Sequence, residues 1–199
     1  HYQQSDYIYS RCDTLGLVIW AEIPFVNRVT GQEWDNVHQQ MRELIRQSFN
    51  HPSIYVWGIH NEVYHPHGYT AALTQSVHDL CKLEDPGRYT VAVNGYGHVE
   101  HPVNENTDIQ GMNRYFGWYE KKIQDIKPWV EKMEKEYPWQ RLMLTEYGAD
   151  ANIEHQTEIL GDALNWGSDF YPETFQTKTH EYQWGIIAQH PYILASCLW

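Results

Sequence analysis

Short apolar runs alternate with amphipathic segments along this 199-residue chain. Uninterrupted runs rich in Val, Ile, Leu and Trp are typical of parallel strands buried on both faces, whereas apolar positions spaced by three and four residues indicate helices. The apolar runs predict six strands, near residues 17–22, 54–59, 89–93, 109–113, 142–146 and 193–199. This alternation of strands and helices predicts an α/β fold with a parallel sheet.

The predicted helices lie between these strands. Apolar spacing and stop signals place them at residues 5–15, 33–49, 69–83, 120–137 and 179–190. Residues 149–178 carry Gly, Asp, Asn and Pro at irregular intervals, which favours a long loop with short helical pieces. A complete eight-stranded α/β barrel typically needs about 250 residues. We therefore predict an incomplete (β/α)8 TIM barrel, with residues 1–199 as one domain because no linker or repeat divides them.

Charge and hydropathy narrow the range of partners. The formal net charge is −12, and no cluster of Lys or Arg is available to contact phosphates, so nucleic acid is not expected as a partner. No apolar stretch reaches the ~18 residues of a membrane span, so we expect a soluble protein without a membrane partner. A cytoplasmic and a periplasmic or secreted location of the parent protein both stay open. Cys12, Cys81 and Cys197 show no C-x-x-C pairing and are expected to be buried free thiols.

Two of the predicted strands end abruptly in a glutamate. The second strand leads into Asn61 and Glu62, and the fifth ends at Glu146. Because the carboxyl ends of barrel strands face the active-site mouth, these carboxylates are expected to converge. In glycoside hydrolysis one such carboxyl protonates the leaving oxygen while the other attacks the sugar or activates water. Either glutamate alone could instead cap the following helix or pair with an arginine.

Polar and aromatic residues also occupy the ends of the other predicted strands, namely Glu22, Asn94, Asn113 with Tyr115, and Trp199. Asn donates and accepts hydrogen bonds to hydroxyls, and aromatic rings stack on the apolar faces of sugars. The 9 Trp and 15 Tyr of the chain serve core packing as well as such contacts. For Glu22, a ligand contact and an ion pair at the rim both stay open.

Two pairs of loop histidines, His65 with His67 and His98 with His101, invite a metal-site interpretation. Neither pair has helical His-x₃-His spacing or lies beside a Cys pair. Solvated loop histidines are the favoured interpretation, so no metal site is predicted.

Five segments spread over nearly the whole chain form a recognisable set. They are His1-Tyr2, Trp20-Ala21-Glu22-Ile23-Pro24, the stretch from His51-Pro52-Ser53-Ile54 through Asn61-Glu62, Asn113-Arg114-Tyr115-Phe116-Gly117-Trp118-Tyr119, and Thr145-Glu146-Tyr147-Gly148-Ala149. Together they resemble the catalytic barrel of glycoside hydrolase family 2. Either the Asn-Glu or the Glu-Tyr-Gly motif alone is weak, whereas both in this order and at this spacing are highly specific.

The resemblance implies a retaining mechanism of double displacement by two glutamates. It makes Glu62 the general acid/base and Glu146 the nucleophile, with carboxyl groups roughly 5–5.5 Å apart. It also implies a substrate-binding set consisting of His1, Asn61, Asn113, Tyr115 and Trp199. In this registration the first strands, the final helix and the amino-terminal jelly-roll and immunoglobulin-like domains of the family are missing, so the chain resembles an excerpt of a larger enzyme.

The substrate implied by the resemblance is a terminal β-linked sugar. Residues 20–25, His60, and residues 146–151 with His155-Gln156 resemble β-galactosidases, which favours β-D-galactosides. Residues 113–119 are shared with β-glucuronidases, so a β-glucuronidase is the alternative, as is a catalytically inert sugar-binding fragment. The resemblance implies no cofactor. A structural or activating cation and a homo-oligomeric state of the full enzyme stay open, and the missing amino-terminal domains are expected partners.

Overall fold

The computed structural model describes residues 1–63, 68–95, 105–164, 167 and 169–199. In these residues the strands are β1 (Ile19–Glu22), β2 (Ile54–Asn61), β3 (Tyr89–Asn94), β4 (Ile109–Asn113), β5 (Leu142–Tyr147) and β6 (Ile193–Leu198). The helices are α1 (Asp6–Leu15), α2 (Trp34–Ser48), α3 (Gly68–Glu84), α4 (Ile126–Glu136) and α5 (Glu173–Ile187). The strands follow chain order in one sheet, and the pairs β1/β2, β2/β3 and β5/β6 are parallel. The predicted α/β class with six strands is confirmed.

The chain divides into two compact units, His1–Gly111 and Met112–Trp199. In the first unit, helices α1, α2 and α3 contribute buried side chains to one core cluster with strands β1 and β2. Strand β2 is buried at seven of its eight positions, which explains its apolar sequence. Helix α2 buries one face, made of Val37, Met41, Leu44, Ile45 and Ser48, at the spacing that the sequence predicted. This packing fixes the carboxyl end of β2, where Asn61 and Glu62 lie.

In the second unit, β5 is buried at every position and pairs with β6. A core cluster of Tyr115, Trp118, Ile123, Ala149 and Phe175 links the segment after β4 to helix α5. Tyr115 and Trp118, which follow β4, and Ala149, which follows β5, are therefore fixed by packing in the core of this unit.

Helix α4 begins later than the sequence predicted. Residues 120–137 were expected to be helical throughout, but Lys121 has a φ of 49° and a 3₁₀ turn, Ile123–Asp125, precedes the α-helix. Pro128 explains the difference, because proline is tolerated in the first turn of a helix and disrupts its interior. A start at Ile126 places Pro128 in that first turn.

Helix α5 begins earlier than predicted, at Glu173 instead of residue 179, and the predicted long loop is correspondingly shorter. Its buried positions are Phe175, Thr179, Gln183 and Ile187, spaced by four residues. Thr179 and Gln183 are polar, so the sequence shows no continuous apolar face at these positions. Hydrogen bonds allow their burial: Thr179 donates to the carbonyl of Phe175 at 2.8 Å, and Gln183 donates to the carbonyl of Phe116 at 2.8 Å.

All three cysteines are free thiols. Cys81 is buried as predicted, whereas Cys12 and Cys197 are only half-buried. Among the described helices, none combines the length and the apolar composition needed to cross a membrane.

Candidate active site

The end of β2 positions Asn61 and Glu62 in the first unit. The backbone N–H of Asn61 donates to the carbonyl of Phe25 at 3.0 Å, and that of Glu62 donates to the carbonyl of Val93 at 2.9 Å. Asn61 is buried and Glu62 is half-buried. The two residues are thus fixed between the loop that follows β1 and the neighbouring strand β3.

Glu62 has an unusual backbone and a close neighbour. Its φ is 50°, in the left-handed region that non-glycine residues rarely adopt. A Cβ atom added to Gly95 would lie 2.8 Å from Oε1 of Glu62 and 3.0 Å from its Cδ. The carboxyl group of Glu62 therefore rests directly on Gly95. Backbone strain of this kind is concentrated at functional sites.

His1 and Glu22 form a pair at the end of β1. Nδ1 of His1 lies 3.3 Å from Oε1 of Glu22, and the Glu22 side chain is almost fully buried. Burial raises the pKa of Glu22, although His1 opposes this effect. Gly58 leaves room for the side chain of Glu22, because a Cβ atom added to Gly58 would lie 2.6 Å from Cβ of Glu22. Of the two alternatives for Glu22, this geometry supports the rim pair.

His60 precedes Asn61 on β2 and is fully buried. Burial lowers the pKa of His60 to about 4. The imidazole is therefore neutral near pH 7 and adds no positive charge beside Asn61.

In the second unit, Tyr115 and Glu146 are joined by a short hydrogen bond. The phenol hydroxyl of Tyr115 donates to Oε2 of Glu146 at 2.5 Å, and both residues are 7 % exposed. Glu120 holds the backbone in place, because its carboxylate accepts from the N–H of Tyr115 at 3.2 Å and from the guanidinium of Arg114 at 2.7 Å. Tyr115 and Glu146 are therefore in direct contact within the second unit.

Asn113 at the end of β4 is oriented by Thr145, the residue before Glu146. The hydroxyl of Thr145 donates to Oδ1 of Asn113 at 2.7 Å, and both side chains are buried. Because the amide oxygen accepts this bond, the side-chain orientation of Asn113 is defined.

A cavity of about 290 Å³ in the second unit is lined by Tyr115, Trp118, Tyr119, Ala149, Asp150, Gln176 and Trp199. Trp199 is 68 % exposed, and its backbone N–H donates to the carbonyl of Tyr147 at 2.9 Å. The cavity combines aromatic rings with polar groups, a lining that suits sugars because the rings offer apolar surface and the polar groups can bind hydroxyls.

The predicted site residues thus fall into two groups. His1, Asn61 and Glu62 lie at strand ends of the first unit, and Asn113, Tyr115, Glu146 and Trp199 lie in the second. The four loop histidines, His65, His67, His98 and His101, lie outside the described residues. Within the described part of the chain, no group of three or more His, Cys, Asp or Glu side chains could hold a metal ion.

The family model for the TIM barrel domain of the family 2 glycosyl hydrolases matches residues 1–191. The chain belongs to glycoside hydrolase family 2. The six-stranded α/β fold is accordingly a partial family 2 TIM barrel.

Similar proteins carry two different names. A solved structure from Bacteroides fragilis, provisionally named a β-galactosidase, is 81 % identical with a TM-score of 0.97 and covers 100 % of this chain and 30 % of its own. A β-glucuronidase of Bacteroides fragilis is 34 % identical over 100 % of this chain and 29 % of its own length. A β-galactosidase of Thermoanaerobacterium thermosulfurigenes is 36 % identical over 47 % of this chain and 13 % of its own length. The chain thus spans less than a third of the length of these family 2 relatives.

Several residues around the site were not predicted from the sequence, namely Gly95, Tyr119, Thr145, Gln176 and His180. Gly95 follows Asn94 and reads as an ordinary turn residue. Tyr119 and Thr145 lie within the motifs that resembled the family, so the signal for them was present. Gln176 lies before the predicted start of its helix, whereas His180 lies within the predicted helix, and no local pattern marks either residue.

Proposed function

We propose that this chain is the catalytic part of a retaining β-glycosidase that hydrolyses terminal β-linked sugars. The observation that carries the proposal is the hydrogen bond from Tyr115 to Glu146 beside an aromatic cavity. Glu146 is proposed as the nucleophile and Glu62 as the general acid/base. His1, Asn61, Asn113, Tyr115 and Trp199 are proposed to bind the sugar.

The reaction proceeds in two steps. Glu146 attacks the anomeric carbon, the bond to the leaving oxygen breaks, and that oxygen takes the proton of Glu62. A water molecule then attacks the same carbon and gives its proton to Glu62, while the bond to Glu146 breaks. Two inversions at one carbon leave the β configuration unchanged.

Tyr115 and the asparagines have separate roles in this scheme. The hydroxyl of Tyr115 fixes the rotamer of Glu146, which keeps the attacking carboxylate oriented before substrate arrives. Thr145 holds the amide of Asn113 in one orientation, as a group that recognises sugar hydroxyls. Asn61 is proposed to bind the 2-hydroxyl, where hydrogen bonds strengthen in the transition state.

β-D-galactosides are the first candidate substrates. The 81 % identical structure bears a β-galactosidase name, in agreement with the sequence features at residues 20–25 and 146–151. β-D-glucuronides are the second candidate, supported by the β-glucuronidase that is 34 % identical along the whole chain. The two sugars differ at two positions. The 4-hydroxyl is axial in the galactoside and equatorial in the glucuronide, and at carbon 6 the glucuronide has a carboxylate in place of a hydroxymethyl group.

The experiment compares the nitrophenyl β-galactoside and the nitrophenyl β-glucuronide as substrates of the polypeptide that carries this chain. Hydrolysis of one of them is the expected result. It should be lost in Glu146→Gln and slowed in Glu62→Gln, because nitrophenolate leaves with little help from an acid while the attack of water still needs a base. It should be kept in Glu158→Gln, since Glu158 is an exposed carboxylate elsewhere in the second unit. Proton NMR of the first product should show the β anomer. Initial release of the α anomer would overturn the retaining mechanism, and full activity of Glu146→Gln would overturn the site.

The inert-fragment alternative is tested with the isolated 199-residue chain. Turnover by the longer polypeptide but not by the isolated chain would show that the fragment has the residues without the complete site. Turnover by both would establish the chain as sufficient.

A further inference from the structure

Helix α5 holds both backbone groups of a single residue, Ala149, which lies three positions after Glu146. The backbone N–H of Ala149 donates to Nε2 of His180 at 3.2 Å. The carbonyl of Ala149 accepts a hydrogen bond from Nε2 of Gln176 at 3.0 Å. Ala149 is 2 % exposed, so its backbone groups need such partners.

The two partners share one face of a well-anchored helix. Gln176 and His180 are four residues apart, a spacing that places side chains next to each other on an α-helix. The adjacent face carries Phe175, Thr179 and Gln183, all with 0 % exposure, which pack α5 into the unit. The position of Ala149 is therefore tied to the position of α5.

Gly148 allows this close approach. Its φ is 124°, a conformation open to glycine, and an added Cβ would lie 2.9 Å from Nε2 of His180. Burial also lowers the pKa of His180, which favours the neutral imidazole that can accept a hydrogen bond.

We propose that Gln176 and His180 are positioning residues. They fix the cavity wall beside Glu146 through their hydrogen bonds to the backbone carbonyl and N–H of Ala149. Ala149 and Gln176 line the same cavity as Tyr115 and Trp199. A shift of Ala149 would move this wall relative to a bound sugar. The inference rests on the proposed function, because it assigns the two residues to the reaction of that site.

The test uses variants that keep or remove each hydrogen bond in the polypeptide that carries this chain. His180→Leu and Gln176→Leu remove an acceptor and a donor, while His180→Gln keeps an acceptor near the position of Nε2. We expect the two leucine variants to lower kcat about 10- to 100-fold, with a smaller change in KM, because small misplacements in an active site are this costly. His180→Gln should restore kcat to within about 3-fold of the parent, well above the leucine variants.

Thr177→Ala is the matched control, since Thr177 is exposed on the same helix, and it should leave kcat unchanged. Thermal unfolding of every variant shows whether it is folded at the assay temperature. If His180→Leu is folded and turns over like the parent, the positioning role is overturned. A His180→Gln variant as slow as His180→Leu would also contradict it.

Hydrogen exchange of the Ala149 amide separates this inference from the proposed function, because it needs no substrate. Protection should fall in His180→Leu and persist in His180→Gln. Equal protection in both variants would show that His180 does not hold the backbone of Ala149, whatever the substrate is. If protection falls in His180→Leu as expected but the Glu146→Gln variant stays active, the hydrogen bonds to Ala149 are supported and only the proposed function is overturned.

Discussion

At the scale of single residues, the two proposed catalytic glutamates are held by different means. Glu146 is buried and accepts a hydrogen bond from Tyr115, whereas Glu62 is half-buried, has a left-handed backbone and rests on Gly95. Tyr115 thus orients Glu146 by a hydrogen bond, and Gly95 leaves the space that the carboxyl group of Glu62 occupies. An acid/base that exchanges protons with substrate and water needs access, which agrees with the greater exposure of Glu62.

Tyr115→Phe is expected to lower kcat much more than it weakens substrate binding. Loss of a preorganised donor costs about 2–4 kcal/mol, or ~30- to 1,000-fold in rate. Steady-state kinetics and thermal unfolding of the same variant test this expectation. Tyr192→Phe is the control, because the Tyr192 hydroxyl donates to the backbone carbonyl of Tyr137 at 2.9 Å, and its loss should affect stability alone. Near-normal turnover in Tyr115→Phe would remove Tyr115 from the site.

Gly95→Ala is expected to slow turnover about 10- to 100-fold by displacing the carboxyl group of Glu62. The added methyl would lie 2.8 Å from Oε1, so the side chain must move. Gly87→Ala is the control, since the nearest atom to its added Cβ is Oδ1 of Asp85 at 3.7 Å, an ordinary contact. Turnover and melting temperature are measured on both variants. Equal turnover in the two would show that Gly95 does not position Glu62.

At the scale of elements, ionisable groups attach helix α1 to the turn before β2. Nδ1 of His51 lies 2.6 Å from Oδ2 of Asp13, and Nε2 lies 3.1 Å from Oδ1 of Asp6. Oδ1 of Asp13 also accepts the backbone N–H of Ser53 at 2.9 Å. The hydrogen bond to Asp13 raises the pKa of His51 above its ordinary value of 6.5. The attachment is therefore strongest when His51 is protonated.

The stability that this attachment gives should fall as the pH rises. Because the pKa of His51 is raised in the folded state, its contribution is complete below pH 6.5 and is lost as the pH passes through the raised value. Melting temperatures of the parent and of His51→Gln, measured from about pH 6 to about pH 9, should differ most at the acid end and converge toward the alkaline end. A constant difference would show that the charge of His51 does not matter.

At the scale of the whole molecule, the outer strands of the sheet expose apolar side chains. Strand β1 is outermost on one side and β6 on the other. Leu194 and Leu198 on β6 are 56 % and 54 % exposed, and Val18, just before β1, is 74 % exposed. The chain also spans only about 30 % of the length of the relatives it matches. Exposed apolar edge strands favour association with other chains.

We expect the isolated 199-residue chain to self-associate through these strands. Light scattering at increasing concentration should show association that Val18→Lys and Leu194→Lys reduce, because a charged edge opposes strand pairing. Ile159→Lys is the control, since Ile159 is 89 % exposed but lies outside the strands. An isolated chain that stays monomeric would contradict the expectation.

The sequence by itself determined the strands, the helical face of α2 and the polar character of the strand ends. These features depend on neighbours close along the chain, because a strand buried on both faces must be apolar throughout and must end where polar residues begin. The motifs around Asn61-Glu62 and Glu146-Tyr147-Gly148 also identified the family.

Only the tertiary structure decided where α5 begins, why Gly95 is needed and how Ala149 is held. Each depends on contacts between residues far apart in sequence: Gln183 is buried because the carbonyl of Phe116 accepts its hydrogen bond, and Gly95 is small because the carboxyl group of Glu62 occupies the adjacent space. The local sequence shows that a side chain is polar, but it does not show which hydrogen-bond partner offsets the free-energy cost of burying that side chain. For this reason the strand-end carboxylates Glu62 and Glu146 were predictable from the sequence, while the contacts of Gly95, Gln176 and His180 were not.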